Sequence, residues 1–192
     1  MANRLFCLKM DVIEESSSPY TLPIVLVRKR TGELRLCVDF RKLNAKTIKD
    51  SYRIPTIEEL IDTLGGACWF ATLDMTSGYY QVEIEPSHRD RTAFTAGPCG
   101  LWQWKRMPFG LTNAPSLFQR LMEKVLSDCH LRTCLVYLDD IVVYAKSISE
   151  LEQRLEDVFQ KIHNAGLKLK PQKCSLFQRQ LKYLGYIENI II

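Results

Sequence analysis

Two adjacent carboxylates, Asp139 and Asp140, interrupt an apolar stretch: Cys134-Leu135-Val136-Tyr137-Leu138 precedes them and Ile141-Val142-Val143-Tyr144 follows. Both halves have the β-branched and aromatic content of buried strands. A carboxylate pair is costly to place inside such a segment. The like charges repel unless a cation neutralises them or the chain reverses there and exposes both. The segment is therefore expected to fold as a hairpin with the acids at its tip. That tip is either an ordinary polar turn or a metal-binding one, and the pair alone does not separate the two.

The 192 residues are enough for one domain or one and a half with a real core, and 46% hydrophobic with 25% charged residues excludes a disordered chain. The net charge of +4 is unevenly distributed. Residues 28–53 hold nine Lys or Arg against three acids, and residues 161–182 hold six and no acid, whereas residues 54–90 carry seven acids and one basic residue, Arg89. Basic flanks around an acidic middle suit a polyanion gripped at its edges with metal at the centre; a mosaic surface is the equal alternative. The seven cysteines include no Cys-x-x-Cys pair. They are read as free, mostly buried thiols in a reducing compartment. No apolar run reaches the roughly 18 residues of a membrane span, and Leu5-Phe6-Cys7-Leu8 is too short for a secretory signal. An intracellular, soluble chain without a membrane partner is the expectation.

Strands and helices alternate along the chain. Ile24 to Arg28 and Leu34 to Val38 read as a hairpin around Thr31-Gly32, with Arg28, Lys29 and Arg30 at its connection. Thr56 and Glu59 form a capping box before the helical apolar positions Ile57, Leu60, Ile61 and Leu64, and Gly65-Gly66 ends that helix. Cys68 to Leu73 reads as a buried strand running into Asp74, Val82 to Glu85 as a half-exposed strand, and Thr92 to Thr95 as a short strand before Gly97-Pro98. Trp102 and Trp104 flank Gln103 and share one sheet face, either packed there or offered outward for stacking. A helix from Asn113 buries Leu117, Phe118, Leu121, Met122, Val125 and Leu126; another, capped by Ser149 and Glu152, buries Leu151, Leu155, Val158, Phe159 and Ile162. Leu167 to Lys170 and Leu181 to Tyr186 read as closing strands. This order predicts a two-layer α+β fold, an antiparallel sheet backed by helices. Asp74 at a strand end can meet Asp139 at a hairpin tip if their strands are neighbours.

Four segments occur in a characteristic order: Leu73-Asp74-Met75-Thr76-Ser77-Gly78-Tyr79-Tyr80-Gln81, Arg106-Met107-Pro108-Phe109-Gly110-Leu111-Thr112-Asn113-Ala114-Pro115, Tyr137-Leu138-Asp139-Asp140 and Lys168-Leu169-Lys170-Pro171-Gln172-Lys173-Cys174. Cys37-Val38-Asp39-Phe40-Arg41-Lys42-Leu43-Asn44, Thr92-Ala93-Phe94-Thr95 and Tyr183-Leu184-Gly185-Tyr186 add further matches. Together they resemble the reverse transcriptases of gypsy-type LTR retrotransposons, from about Val12 to Tyr186. The resemblance implies a right-hand polymerase, with residues 12–66 mainly fingers and 67–192 mainly palm, fingers elements being interleaved around 88–112. Residues 1–11 fall outside it.

The implied activity is RNA-directed DNA polymerisation, the transfer of a dNMP to a primer 3′-hydroxyl on an RNA or DNA template. Two Mg²⁺ ions about 3.5–4 Å apart, or Mn²⁺ in their place, assist such a displacement. The resemblance implies Asp74 and Asp139 as bridging ligands, with Asp140 completing the triad. Arg35 corresponds to the fingers arginine on the triphosphate, and one of Arg28, Lys29 and Arg30, undecided, to a second fingers cation. Ser77 and Gly78 match the turn beneath the phosphates. Tyr79 matches the aromatic gate against a ribose 2′-hydroxyl, its other reading being a core tyrosine. Phe109 and Gly110 match the segment under the incoming base. Lys173 matches a lysine near the triphosphate, or is a solvated strand-end lysine. Tyr137 and Leu138, with Tyr183, Leu184 and Gly185, match primer and template contacts. The resemblance also implies a parent Pol polyprotein with thumb, RNase H and integrase, housed in a virus-like particle. Tyr137-Leu138 before the acids and the Tyr79 gate argue against a viral RNA-copying RNA polymerase. The chain ends six residues after Tyr186, so a thumb is expected to be absent. That leaves a second reading open, an inactive retroelement remnant that at most binds nucleic acid.

Overall fold

The computed structural model describes residues 11–28, 32, 34–95, 97, 100–183 and 186–188. Its strands are β1 (Ile13–Glu15), β2 (Ile24–Arg28), β3 (Leu34–Val38), β4 (Trp69–Asp74), β5 (Phe94–Thr95), β6 (Leu101–Trp104), β7 (Cys134–Tyr137), β8 (Asp140–Ala145), β9 (Ser175–Gln178), β10 (Leu181–Tyr183) and β11 (Tyr186–Glu188). Its α-helices are α1 (Arg41–Asn44), α2 (Ile57–Asp62), α3 (Pro86–Arg89), α4 (Ala114–Val125) and α5 (Ile148–Asn164). The chain divides into two compact units, one formed by residues 1–50 and 79–114, the other by 51–78 and 115–192.

In the first unit, β2 and β3 form the expected hairpin, in register from Ile24 opposite Val38 to Arg28 opposite Leu34. Thr31, at the expected turn, lies outside the described residues, as do Lys29 and Arg30. A three-stranded antiparallel sheet runs in the order β1-β6-β5. The period-2 pattern of β6 turns Trp102 and Trp104 into the core, 5% and 3% exposed, against Val12, Ile13, Phe40 and Phe94. Both indoles are thus packing residues, and the stacking alternative is set aside by their burial. Val82 to Glu85 is not a strand. Only Glu83 makes a bridge, to Arg106, because a 3₁₀ turn over Gly78–Gln81 precedes the segment and Pro86 opens α3 directly after it. Thr92 closes a second 3₁₀ turn, its hydroxyl donating to the Arg89 carbonyl and accepting from Trp104 N–H, which shortens β5 to Phe94–Thr95.

The second unit is a four-stranded antiparallel sheet in the order β7-β8-β4-β9 with helices packed on it. Leu60, Leu64 and Ala67 meet Phe70, Leu135, Val142 and Tyr144, while α5 lies on β8 and β4. Covering the sheet twice accounts for the unbroken apolar runs: Cys134 to Val136 and Ile141 to Ala145 are all buried. The Thr56 and Glu59 capping box opens α2 as expected. α4 buries Phe118, Met122 and Leu126, but Leu117 is 41% exposed because it points off that stripe. α5 begins two residues earlier than expected. Ser147 Oγ, not Ser149, accepts from Glu150 N–H at 3.2 Å, and Glu150 rather than Glu152 reaches back to Lys146 N–H. Leu151, Leu155, Val158 and Ile162 are buried, whereas Phe159 lies at the rim. Residues 167–170 contribute one bridge, Leu169 to Met75, rather than a strand. Of the five cysteines among the described residues, all free, only Cys129 and Cys134 are buried, and Cys37, Cys68 and Cys174 are half-exposed. Burial pushes the Cys134 thiol up to about 12, consistent with an inert core residue.

Candidate active site

The site is built where β4 meets the β7–β8 hairpin. Tyr137 pairs with Asp140, so the reversal is the two residues Leu138 and Asp139. Leu138 adopts φ 55°, the left-handed region that tight hairpin loops use and that costs a leucine roughly 1–2 kcal/mol. β4 lies against β8 from Trp69 opposite Ala145 to Asp74 opposite Asp140. Strand register thus brings the carboxyl-bearing end of β4 directly to the acid-tipped hairpin. Met75 N–H donates to the Asp139 carbonyl at 3.4 Å across the same junction.

Asp74, Asp139 and Asp140 are all half-buried. Burial, then the charges of Asp139 and Asp74, push the Asp140 carboxyl above the usual aspartate range, partly offset by Lys173. Lys173 Nζ donates to Asp74 Oδ2 at 2.8 Å, and this bond, with the charges of all three aspartates, raises its pKa. The lysine arrives by backbone pairing: Thr76 N–H donates to the Lys168 carbonyl at 2.9 Å, and Lys170 N–H to the Asp74 carbonyl at 2.8 Å. A 3₁₀ turn over Pro171–Lys173 then presents the ammonium to the acids. Among the described residues no group of three or more His, Cys, Asp or Glu side chains is closed enough to hold an ion by itself.

Ser77, at φ 50°, turns the chain beneath the hairpin tip. At Gly78 an added Cβ would stand 3.0 Å from Phe118 Cζ and 3.3 Å from Asp139 Cβ, a close backbone approach that a side chain would crowd. The sequence reading missed Gln119. Its side chain is fully buried on α4, donates Nε2–H to the Val136 carbonyl at 3.0 Å and accepts from Leu138 N–H at 2.7 Å. A polar residue inside the apolar stripe of Phe118 and Met122 was the available signal.

Other expected residues lie in the first unit. The Tyr79 and Phe109 rings are 4.8 Å apart, Tyr80 stacks on Trp104 at 5.5 Å, and Gly110, at φ 99°, accepts from Asn44 Nδ2–H at 2.8 Å. Arg35 lies in β3 opposite Val27, and Arg28 ends β2 opposite Leu34. In the second unit Tyr137 ends β7 and Tyr183 pairs with Tyr186, while Leu184 and Gly185 lie outside the described residues.

Residues 27–187 match the family described as reverse transcriptase (RNA-dependent DNA polymerase). The chain belongs to this family. Its reverse transcriptase sequence is 38% identical over 185 residues to the retrovirus-related Pol polyprotein from transposon 297 of Drosophila melanogaster, and 36% identical over 186 residues to that from transposon gypsy of the same organism. Each match covers 94% of this chain but only 17% and 18% of the relative, so the chain spans under a fifth of the length of these two polyproteins. The reverse transcriptase fold superposes on the foamy viral protease-reverse transcriptase in complex with double-stranded DNA with a TM-score of 0.86 at 27% identity, covering 94% of this chain and 31% of that one. The foamy viral enzyme with an RNA/DNA hybrid gives a TM-score of 0.86 at 26% identity over 94% and 24% of the two chains. A right-hand polymerase fold of mixed helix and antiparallel sheet is thereby established. No helix among the described residues is long and apolar enough to cross a membrane.

Proposed function

We propose that this chain is the catalytic part of an RNA-directed DNA polymerase, with the first unit serving as fingers and the second as palm. The observation that carries the reading is the β4–β8 register, which sets Asp74 opposite Asp140 beside the Asp139 turn. Burial and the neighbouring charges of Asp139 and Asp74 raise the proton affinity of Asp140, which a cation in the site would relieve, and Lys173 already brings one charge there. Their oxygens suit Mg²⁺ or Mn²⁺, hard cations that take one or two carboxylates and complete their shell with substrate phosphates rather than a closed protein cage. The donor set therefore fits the metal, with Asp74 and Asp139 as main ligands and Asp140 as the third acid. When bound, two such ions supply charge neutralisation at the phosphates and a more acidic primer hydroxyl.

The chain's own residues account for the rest. The primer 3′-oxygen attacks the α-phosphorus of a dNTP, its proton goes to solvent, and the bond to pyrophosphate breaks. Lys173, held at the acids, is placed to protonate the leaving pyrophosphate. Ser77 and Gly78 offer backbone N–H groups to the phosphates. In the first unit Arg35 grips the triphosphate, with Arg28, Lys29 or Arg30 as a second cation. Phe109 and Gly110 support the base, and Tyr79, braced by Phe109, excludes a 2′-hydroxyl. Tyr137, Leu138, Tyr183, Leu184 and Gly185 contact primer and template. The nucleic acids in the foamy viral complexes make a primed RNA or DNA template the expected partner, and the relatives make a Pol polyprotein the expected parent.

Primer extension on an RNA template with Mg²⁺ and dNTPs tests the reading, comparing the full chain with Asp139→Asn. Incorporation by the chain and none by the variant is expected, with equal template binding. Template binding without incorporation by either folded protein overturns it in favour of the inactive remnant.

A further inference from the structure

The hairpin that carries two of the three acids is closed by a residue in a conformation its side chain disfavours. Leu138 at φ 55° has no glycine's freedom, so something must hold it. Among the described residues β7 is the outermost strand of its sheet, and neither the Val136 carbonyl nor Leu138 N–H finds a strand there on that side. The Gln119 carboxamide bonds both, taking the place of one peptide group of a further strand. Its orientation is fixed by its partners, since an N–H must face Oε1 and a carbonyl must face Nε2. Glu123, one turn along α4, accepts a second bond from Nε2 at 2.7 Å, and Tyr52 OH donates to the same carboxylate. Gln119 is fully buried in a wall of apolar residues, where a polar side chain is retained only with its bonds satisfied.

We propose that Gln119 is a positioning residue that clamps Leu138 and so fixes the backbone from which Asp139 and Asp140 project. This inference rests on the polymerase reading. Gln119 touches no substrate; its effect passes through the hairpin, where a displacement of about 1 Å is enough to cost 10²-fold in rate.

The test uses the full chain and two variants. Gln119→Met keeps length and volume but removes both hairpin bonds, and the double variant Gln119→Glu/Glu123→Gln keeps the acceptor for Leu138 N–H while losing the donor to Val136, the second change preventing a buried pair of facing carboxylates. Single-nucleotide incorporation is measured alongside amide hydrogen exchange over residues 134–142. In Gln119→Met, kcat is expected to fall about 10²-fold with the dNTP KM within about threefold of wild type, the pattern of lost transition-state positioning. Faster exchange should be confined to Leu138 and its neighbours in the turn, and the double variant Gln119→Glu/Glu123→Gln should retain more of kcat than Gln119→Met. An unchanged kcat in Gln119→Met overturns the proposal, as does exchange rising equally along the whole β7–β8 ladder, which would mark a general structural role. If Gln119→Met does not fold, an undiminished kcat in the double variant Gln119→Glu/Glu123→Gln overturns it. If the wild type itself incorporates nothing, the polymerase reading fails, and slow Leu138 exchange that Gln119→Met abolishes still upholds the clamp while unprotected Leu138 in wild type refutes it.

Discussion

Gly78 and Asp140 show how tightly single residues are specified around the acids. A methyl group at Gly78 meets Phe118 Cζ at 3.0 Å, and Phe118, itself fully buried, must shift by a few tenths of an ångström to admit it. Gly78→Ala is therefore expected to destabilise the fold by about 1–3 kcal/mol, the usual cost of overpacking, as read by urea unfolding. A loss under about 0.5 kcal/mol would show that the helix gives way. Asp140 makes the opposite prediction. Its folded-state pKa is raised, so the fold favours the protonated acid. That contribution is complete below the ordinary aspartate range and is lost as pH rises through the raised value. At neutral pH the ionised carboxylate faces Asp139 and Asp74 half-buried, whereas asparagine stays neutral. In chelator-treated buffer Asp140→Asn should raise Tm at neutral pH, and the gain should shrink toward about pH 4. A pH-independent gain would point to packing instead. Tyr79→Ala should admit ribonucleotides, and unchanged dNTP-over-rNTP discrimination would return Tyr79 to the role of a ring packed on Phe109.

Among the elements, legibility tracked how local the determining contacts are. The α2 capping box was readable because Thr56 and Glu59 satisfy each other within four residues. Thr56→Ala should cost about 1 kcal/mol in thermal or urea unfolding, and a change near zero would mean that α2 is held by Leu60 and Leu64 alone. The start of α5 misled because Ser147 with Glu150 and Ser149 with Glu152 satisfy the same local rule, and only the structure shows which serine accepts the bond. β9 was invisible: all four of its residues are exposed, so no alternation marks them, and it exists through pairing with β4. The acid-tipped hairpin was legible from its apolar flanks, but its union with Asp74 depends on register between distant strands and came from the resemblance. Gln119 escaped because its partners are Val136 and Leu138, far along the chain and both backbone groups.

For the whole molecule, the uneven charge of the sequence is tempered by pairing. Arg41 is bound to Asp39 at 2.6 Å and Arg53 to Glu59, Lys161 to Asp128 at 2.8 Å, Lys173 to Asp74, and Arg179 lies 3.9 Å above the Trp69 ring. Among the described residues of segments 28–53 and 161–182 at least these five basic side chains are thus already engaged, so the grip on a polyanion is weaker than the counts suggest. Binding to a primed template should still release counterions. Its log affinity is expected to fall linearly with log salt, by about 0.9 for each phosphate neutralised. Asp139→Asn should leave that line in place while abolishing incorporation, because the acid serves the reacting phosphate and the basic segments serve the backbone. A salt-independent affinity would identify those segments as a mosaic surface and move the nucleic-acid contacts elsewhere. A slope that changes in Asp139→Asn would mean that the acids and the grip are one electrostatic unit rather than two.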